Sequence, residues 1–241
     1  MPRFFLNDIK SGVISGDDAR HISKVLRMKK GDEITICDMM GTDYLCSISD
    51  FSKTDVFFDV VSSSPSETES EIKVSLFQAL PKSTKMDYII QKCTELGIYD
   101  IYPVSMAHCV VKLDQKDGEK KVSRWQAVSE AAAKQSMRGI IPEIHAPLDF
   151  KAALDKMTEA DLCFVCYENE MHTTLKTVLT DIESKPESIA FLIGSEGGIS
   201  DEEIAFIKDK GIPCVTLGKR ILRTETAPTA VLSAINYEFD K

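Results

Sequence analysis

The chain has 241 residues, of which 43% are hydrophobic and 28% charged, and its formal net charge is −9. These values are typical of a globular protein with one large or two modest domains, and they exclude non-specific nucleic-acid binding by the whole surface. No apolar run is long enough to cross a bilayer, and the first ten residues lack the apolar centre of a signal peptide, so we expect no membrane partner.

The first thirty residues are basic although the chain as a whole is acidic. They hold seven Lys or Arg against three Asp, a balance of +4, so the remainder of the chain carries −13. A basic N-terminal segment in an otherwise acidic chain suits a local contact with a polyanion such as RNA. A solvated basic face explains the same charges equally well.

The first part of the chain predicts a small β-barrel, which we place at residues 1–70. A helix is expected at Asp17–Arg27. Three short runs of β character, separated by turn signals, are expected to be strands: Glu33–Cys37, Tyr44–Ile48 and Val56–Val60. The polar, acidic stretch Ser62–Glu71 has no apolar periodicity and is expected to be a linker.

After the linker, strands alternate with helices, which indicates an α/β domain with a largely parallel sheet at residues 71–241. The expected strands are Val74–Ala79, Ile98–Val104, Asp161–Tyr167, Ile189–Ile193 and Cys214–Leu217. The expected helices are Met86–Leu96, a second helix around 122–132, a third that opens with a capping box at Ser200–Glu203, and a last one from Pro228 to Phe239.

The seven cysteines give no sign of a disulfide framework or a metal site. Their number is odd and their spacing irregular, which favours a reducing, cytoplasmic location. Cys163 and Cys166 have CxxC spacing, but they lie in the apolar run Leu162–Tyr167, which reads as a buried strand. Residues three apart on a strand point to opposite faces, so packing explains this pair better than redox or metal chemistry.

A glycine-rich segment, Gly194–Ser200, follows the strand expected at Ile189–Ile193. Three glycines and Glu196 after a buried strand place bare backbone at the carboxyl edge of the sheet, where α/β proteins bind ligands. A structural turn is the alternative. The segment lacks the residues of a nucleophile elbow, a P-loop or a dinucleotide-binding turn, which removes the main support for hydrolase and NTPase interpretations.

A second unusual segment, Thr216–Ala227, follows the last expected strand. It combines three large aliphatic residues with three charged ones: Leu217, Ile221, Leu222, Arg220, Arg223 and Glu225. The aliphatic side chains could form the sides of a pocket for a flat apolar ligand, while the charged side chains take part in the reaction. A buried turn with a structural Arg–Glu pair is the alternative.

Together these two segments resemble the RsmE family of 16S ribosomal RNA (uridine-N3)-methyltransferases, of the SPOUT superfamily. The resemblance covers nearly the whole chain, and its further motifs are Arg3-Phe4-Phe5, His21 with Val25-Leu26-Arg27, Gln78–Lys82, Lys92 with Glu95-Leu96-Gly97, Arg124-Trp125, Gln135 to Arg138, and Ile141-Pro142-Glu143. Ser195 stands where the family commonly has proline, which loosens the loop but leaves its backbone donors in place. Ala107-His108 stands where the family has an acidic residue followed by arginine, so no RNA contact is assigned there.

The resemblance implies a fold and an activity. The expected fold is a SPOUT α/β domain, a trefoil-knotted, largely parallel sheet with helices on both faces, together with an N-terminal PUA-like β-barrel that engages RNA. The expected activity is methylation of N3 of a specific uridine in small-subunit (16S) ribosomal RNA, with S-adenosylmethionine as the cofactor. The expected partners are the 30S subunit or its RNA and a second copy of the chain, in a homodimer.

The resemblance also implies site residues. The residues expected around the cofactor are Tyr167, Gly194, Ser195, Glu196, Gly197, Leu217, Gly218, Ile221 and Leu222. The residues expected to contact RNA are Arg3, His21, Lys24, Arg27 and Arg138. Uridine N3 must lose its proton before it attacks, so Glu225 is expected either to accept that proton or to orient the guanidinium of Arg223. Arg223 is expected to stabilise the resulting anion or to hold a phosphate, and it ranks above Glu225 as a catalytic residue. No metal is expected.

Two other functions fit parts of the same sequence. One is a ribosome-assembly or RNA-binding module that retains the cofactor pocket without activity. The other is an α/β enzyme that uses the glycine loop to bind the phosphate of a nucleotide or another small molecule.

Overall fold

The computed structural model describes residues 1–113 and 115–240, which form two compact units. The first unit comprises residues 1–69 and 133–141, and the second comprises 70–132 and 142–241. Segment 133–141 belongs to the first unit because Glu69 anchors it: the Glu69 carboxylate accepts the N–H groups of Gly139 and Ile140 and pairs with Arg138. No sequence pattern predicted that residues 133–141 belong to the first unit.

The first unit is built on a five-stranded sheet in the order β1-β3-β4-β5-β2. Its strands are β1 Arg3–Phe5, β2 Val13–Ile14, β3 Glu33–Cys37, β4 Thr42–Phe51 and β5 Val56–Pro65. β1 pairs with β3 in parallel, and the remaining pairs are antiparallel. A core of apolar side chains, including Phe4, Ile22, Ile34, Ile36 and Phe58, lies against this sheet.

Two expectations for this unit were wrong in their bounds. The helix expected at Asp17–Arg27 is a short α1, Gly16–Arg20, continued by a π-helical turn, His21–Val25; Arg27 has a φ of 53°, which ends any helix. The linker expected to start at Ser62 starts later, because Ser62–Ser64 pair with β4 as the end of β5. Those serines are exposed, so strand pairing there needs no apolar pattern.

The second unit contains a seven-stranded sheet in the order β12-β10-β11-β6-β7-β8, with β9 also beside β7, and every pair is parallel. The strands are β6 Lys73–Ala79, β7 Asp100–Ser105, β8 Glu143–Ile144, β9 Leu148–Asp149, β10 Leu162–Cys166, β11 Ser188–Ile193 and β12 Cys214–Val215. Nearly every residue of β7 and β11 is buried, as expected of parallel strands with both faces covered. The predicted α/β class is confirmed.

Six helices belong wholly or mainly to this unit: α2 Lys85–Glu95, α3 Gln115–Gln135, α4 Phe150–Met157, α5 Leu175–Thr180, α6 Asp201–Asp209 and α7 Ala227–Phe239. The predicted capping box is present at the start of α6, where Ser200 and Glu203 bond each other's backbone N–H groups. Sequence patterns had not predicted α4 and α5, which are eight and six residues long. No helix in the described ranges is both long and apolar enough to span a membrane.

The CxxC pair lies where it was expected, inside β10. Cys166 is buried and Cys163 is half-buried, and burial raises the pKa of both thiols. A raised pKa keeps a thiol protonated and unreactive. These cysteines therefore contribute packing to the sheet.

Candidate cofactor and catalytic site

Three loops meet at the carboxyl edge of the parallel sheet. They follow the adjacent strands β10, β11 and β12 and comprise residues 167–173, 194–200 and 216–226. The first and third are joined by backbone hydrogen bonds, from Thr216 N–H to Thr173 O at 2.8 Å and from Leu175 N–H to Thr216 O at 3.2 Å. Ligands bind at this edge of open α/β sheets.

The loop that follows β12 runs back across the sheet. Thr224 is buried; its hydroxyl donates to Gly194 O at 2.7 Å and accepts from Gln78 Nε2 at 3.0 Å. Gln78 lies in β6, whereas β12 is the edge strand on the far side of β10 and β11. The chain therefore crosses the carboxyl ends of β10 and β11, as the resemblance implied for a knotted sheet.

The glycine loop is a tight turn in which Ser195 contributes the bonds. The Ser195 hydroxyl accepts Gly197 N–H at 3.3 Å, and Ser195 O accepts Gly198 N–H at 3.0 Å. The serine thus constrains a position where the family commonly has proline. The two oxygens of Ser195 also accept the backbone N–H groups of Gly197 and Gly198, which the sequence alone had suggested were available to a ligand.

The turn at Ala107-His108 supports the glycine loop. Gly197 lies so close to His108 that a Cβ on Gly197 would be 2.8 Å from His108 Cβ and 3.2 Å from His108 O. Ala107 N–H donates to Glu203 Oε1 at 2.8 Å, which fixes the turn to the cap of α6. This turn was left without a role in the sequence, and its contacts give it a structural one.

A cluster of charged side chains lies where the loops meet the start of α2. Lys85 Nζ is 2.9 Å from Glu196 Oε1 and 3.1 Å from Glu225 Oε2. Arg223 Nη1 is 4.0 Å from Glu225 Oε1, and the Arg223 side chain is 82% exposed. The expected catalytic residues Arg223 and Glu225 are therefore neighbours, but Lys85 holds Glu225 more closely.

The charges in this cluster are stabilised by one another. Burial by itself would raise the pKa of Glu196 and of Glu225, but the nearby ammonium group of Lys85 and backbone N–H groups bring both pKa values below the usual range. The same two carboxylates raise the pKa of Lys85, Glu196 having the larger effect. At neutral pH the cluster is thus fully ionised, and Glu225 is a weak base.

Sequence analysis did not single out Lys85. A signal was available, because Lys85 is the first residue of α2, and the amino end of a helix disfavours a positive charge. A lysine at that position indicates a compensating anion elsewhere in the fold. Which anion it meets depends on contacts that span more than a hundred residues of sequence.

The residues predicted to wall the cofactor differ in their burial. Leu217, Leu222 and Tyr167 are partly buried and pack against the core of the unit, whereas Ile221 is exposed. Gly218 has a φ of 112°, a conformation that L side chains rarely adopt. Aliphatic side chains, a glycine turn and two ionised carboxylates together fit S-adenosylmethionine, which carries a flat aromatic ring system and positive charge.

The predicted RNA-contacting residues fall into two groups within the first unit. His21, Lys24 and Arg27 are exposed on and just after the π-helical turn. Arg3 is paired with Asp43 at 2.7 Å, and Arg138, 4% exposed, is paired with Glu69. The two arginines therefore stabilise the first unit and do not present their charge to solvent in this structure.

No group of His, Cys, Asp or Glu within residues 1–113 and 115–240 is arranged to hold a metal ion.

A parallel sheet whose last strand leads into a crossing loop at the ligand-binding edge, in one chain with a small β unit, is the arrangement that the resemblance to the SPOUT class implied. A sequence model of the RNA methyltransferase domain matches residues 68–236, and a model of the RNA methyltransferase PUA domain matches residues 14–61. The chain belongs to the ribosomal RNA small subunit methyltransferase E family.

Similar proteins support this assignment along the full length of the chain. Ribosomal RNA small subunit methyltransferase E of Bacillus subtilis (strain 168) is 36% identical, over 99% of this chain and 97% of its own. The protein of the same name from Mesomycoplasma hyopneumoniae (strain 232) is 30% identical, over 97% and 98%. The crystal structure of the Neisseria gonorrhoeae enzyme bound to S-adenosyl methionine is 30% identical, with a TM-score of 0.80 over 98% and 97%.

Proposed function

We propose that the chain uses S-adenosylmethionine to methylate N3 of a uridine in small-subunit ribosomal RNA. The full-length similarity to named methyltransferases supports the substrate class. The observation in this chain that carries the proposal is the exposed Arg223 beside the ionised Glu225, at the sheet edge that holds the glycine loop. The bound cofactor supplies the methyl group.

The residues of the cluster fit the chemistry of this nucleophile. Uridine N3 carries a proton, and its loss leaves an anion delocalised over the ring. Arg223 is placed to stabilise that anion, since its guanidinium is exposed and always charged. Glu225 is ionised and can accept the proton, although its lowered pKa makes it a weak base. The uridine must leave its stack to reach the site.

Methyl transfer from labelled S-adenosylmethionine to small subunits that lack the modification tests this function. We expect label in 16S RNA, mapped by mass spectrometry to N3 of one uridine, and the same yield with a chelator present. Cofactor binding without any transfer to subunits or free RNA would contradict the proposal and favour the assembly-module alternative.

We expect the basic residues of the π-helical turn to contribute to RNA affinity. Replacing Lys24 and Arg27 by alanine should weaken binding to the small subunit about tenfold and lower the salt dependence of log K by about 1 to 2, because two phosphate contacts are lost. Filter binding over a range of salt concentrations measures both quantities. The matched control is Lys10→Ala/Lys53→Ala, which removes the same charge from exposed positions of the first unit. Equal salt slopes in the two variants would exclude the contact.

We also propose that the chain acts as a homodimer in the cytoplasm, where ribosomal subunits are found. Tyr88 of α2 and Tyr237 of α7 are 50% and 90% exposed. The two helices are adjacent, and Asn236 Nδ2 donates to Leu96 O at 2.7 Å. Exposed aromatic residues on neighbouring helices support association with a second copy. Sedimentation velocity over a range of concentrations measures the oligomeric state.

A further inference from the structure

We propose that Lys85 is a positioning residue of the methyl-transfer reaction, which keeps Glu225 from drawing Arg223 back from the substrate. The inference rests on the proposed function, because Arg223 has a reaction to serve only if the chain transfers a methyl group. It gives a role to a side chain that lies outside the sequence motifs described above.

The distances around Glu225 show a competition between two cations. Lys85 Nζ lies 3.1 Å from Glu225 Oε2, while Arg223 Nη1 lies 4.0 Å from Glu225 Oε1, at the outer limit of an ion pair. A guanidinium normally binds a carboxylate closely through two parallel hydrogen bonds. Glu225 makes no such fork with Arg223, and the cation nearest to its carboxylate is Lys85.

Lys85 is held in place independently of the carboxylates that it contacts. It is the first residue of α2, and the following buried residues Met86, Ile89 and Ile90 fix that helix in the core. The amino end of a helix disfavours a lysine, because the helix dipole places partial positive charge there. The two carboxylates of Glu196 and Glu225 offset this unfavourable interaction of Lys85 with the helix end. The position therefore suits a cation that acts within the cluster.

Glu196 keeps the cluster anchored to the glycine loop. Its carboxylate accepts the Lys82 N–H at 3.2 and 3.4 Å in addition to the contact with Lys85. Loss of the lysine side chain therefore leaves Glu196 with backbone partners, whereas Glu225 is left with Arg223 as its nearest cation. The expected consequence is a closer Arg223–Glu225 pair and a guanidinium withdrawn from the uridine.

Kinetics of five variants test the inference. Lys85→Met should lower the single-turnover rate about tenfold, while the Kd of S-adenosylmethionine stays within about threefold of wild type. Lys85→Arg should retain most of the rate. Lys85→Met/Glu225→Gln should be about as fast as Glu225→Gln alone, because without the carboxylate charge nothing draws Arg223 back; Glu225→Gln is the reference here because Glu225 is also the proposed proton acceptor. Lys92→Met is the matched control: Lys92 lies in the same helix, is similarly exposed (34% against 31%) and pairs with Glu95.

A second measurement does not depend on activity. Labelling with an arginine-selective dicarbonyl, quantified by peptide mass spectrometry, should show lower reactivity of Arg223 in Lys85→Met than in wild type or Lys92→Met. Unchanged Arg223 labelling, or a Lys85→Met/Glu225→Gln variant slower than Glu225→Gln by the factor that separates Lys85→Met from wild type, would overturn the inference. An inactive wild-type chain would instead contradict the proposed function, so the two failures are distinguishable.

Discussion

Arg223→Ala is expected to lower the single-turnover rate of methyl transfer about a hundredfold, with little change in cofactor affinity or melting temperature. Removal of one charged stabiliser from a reaction centre typically has an effect of this size. The Arg223 side chain is 82% exposed and only 4.0 Å from Glu225, so its loss removes little packing and leaves Glu225 with Lys85. The rate is measured at saturating cofactor and RNA.

Two further variants separate a catalytic role from a structural one. Arg220→Ala removes an exposed arginine from the same loop and should leave the rate close to wild type. Arg223→Lys keeps the charge but loses the planar donor set, so an intermediate rate is expected. A low melting temperature with a wild-type rate in Arg223→Ala would show that this residue holds the loop and does not serve the reaction.

The fold of the second unit could be predicted where strands are long and buried. β10 and β11 appear in the sequence as mainly apolar runs, because both faces of a parallel sheet are covered. The strand expected at Cys214–Leu217 is present as β12, shortened to Cys214–Val215. β8 and β9 have two residues each, too few to carry any pattern. Their positions are set by pairing with neighbouring strands, which no local sequence pattern records.

The candidate site could be predicted as segments but not as contacts. The glycine loop and segment Thr216–Ala227 stood out because glycines and clustered charges are unusual after buried strands. Which partner each charge meets is decided by packing over long sequence separations. Arg3 and Arg138 show the same limit, because each pairs with an acidic side chain of the first unit that no local pattern indicated. Their contact with RNA stays a prediction.

Gly197→Val is expected to weaken S-adenosylmethionine binding about ten- to a hundredfold. A Cβ at position 197 would lie 2.8 Å from His108 Cβ and 3.2 Å from His108 O, and the backbone oxygen cannot rotate away. The glycine loop or the turn at 107–108 must therefore shift, and overpacking of this kind costs about 1–3 kcal/mol. Because Glu203 fixes that turn to α6, the loop is expected to move, which displaces the backbone that faces the cofactor. Titration calorimetry measures the affinity.

Two comparisons show whether the steric contact with His108 causes the loss. His108→Gly in the Gly197→Val chain removes the closest atom, so part of the affinity should return. Gly118→Ala places a Cβ 3.6 Å from Pro147 Cγ, an ordinary contact, inside helix α3, where alanine is favoured by up to about 1 kcal/mol. That control should melt slightly higher and bind the cofactor as wild type does. If Gly197→Val bound S-adenosylmethionine with wild-type affinity, the glycine loop would not lie at the cofactor. If only the melting temperature fell, the contact with His108 would serve the fold alone.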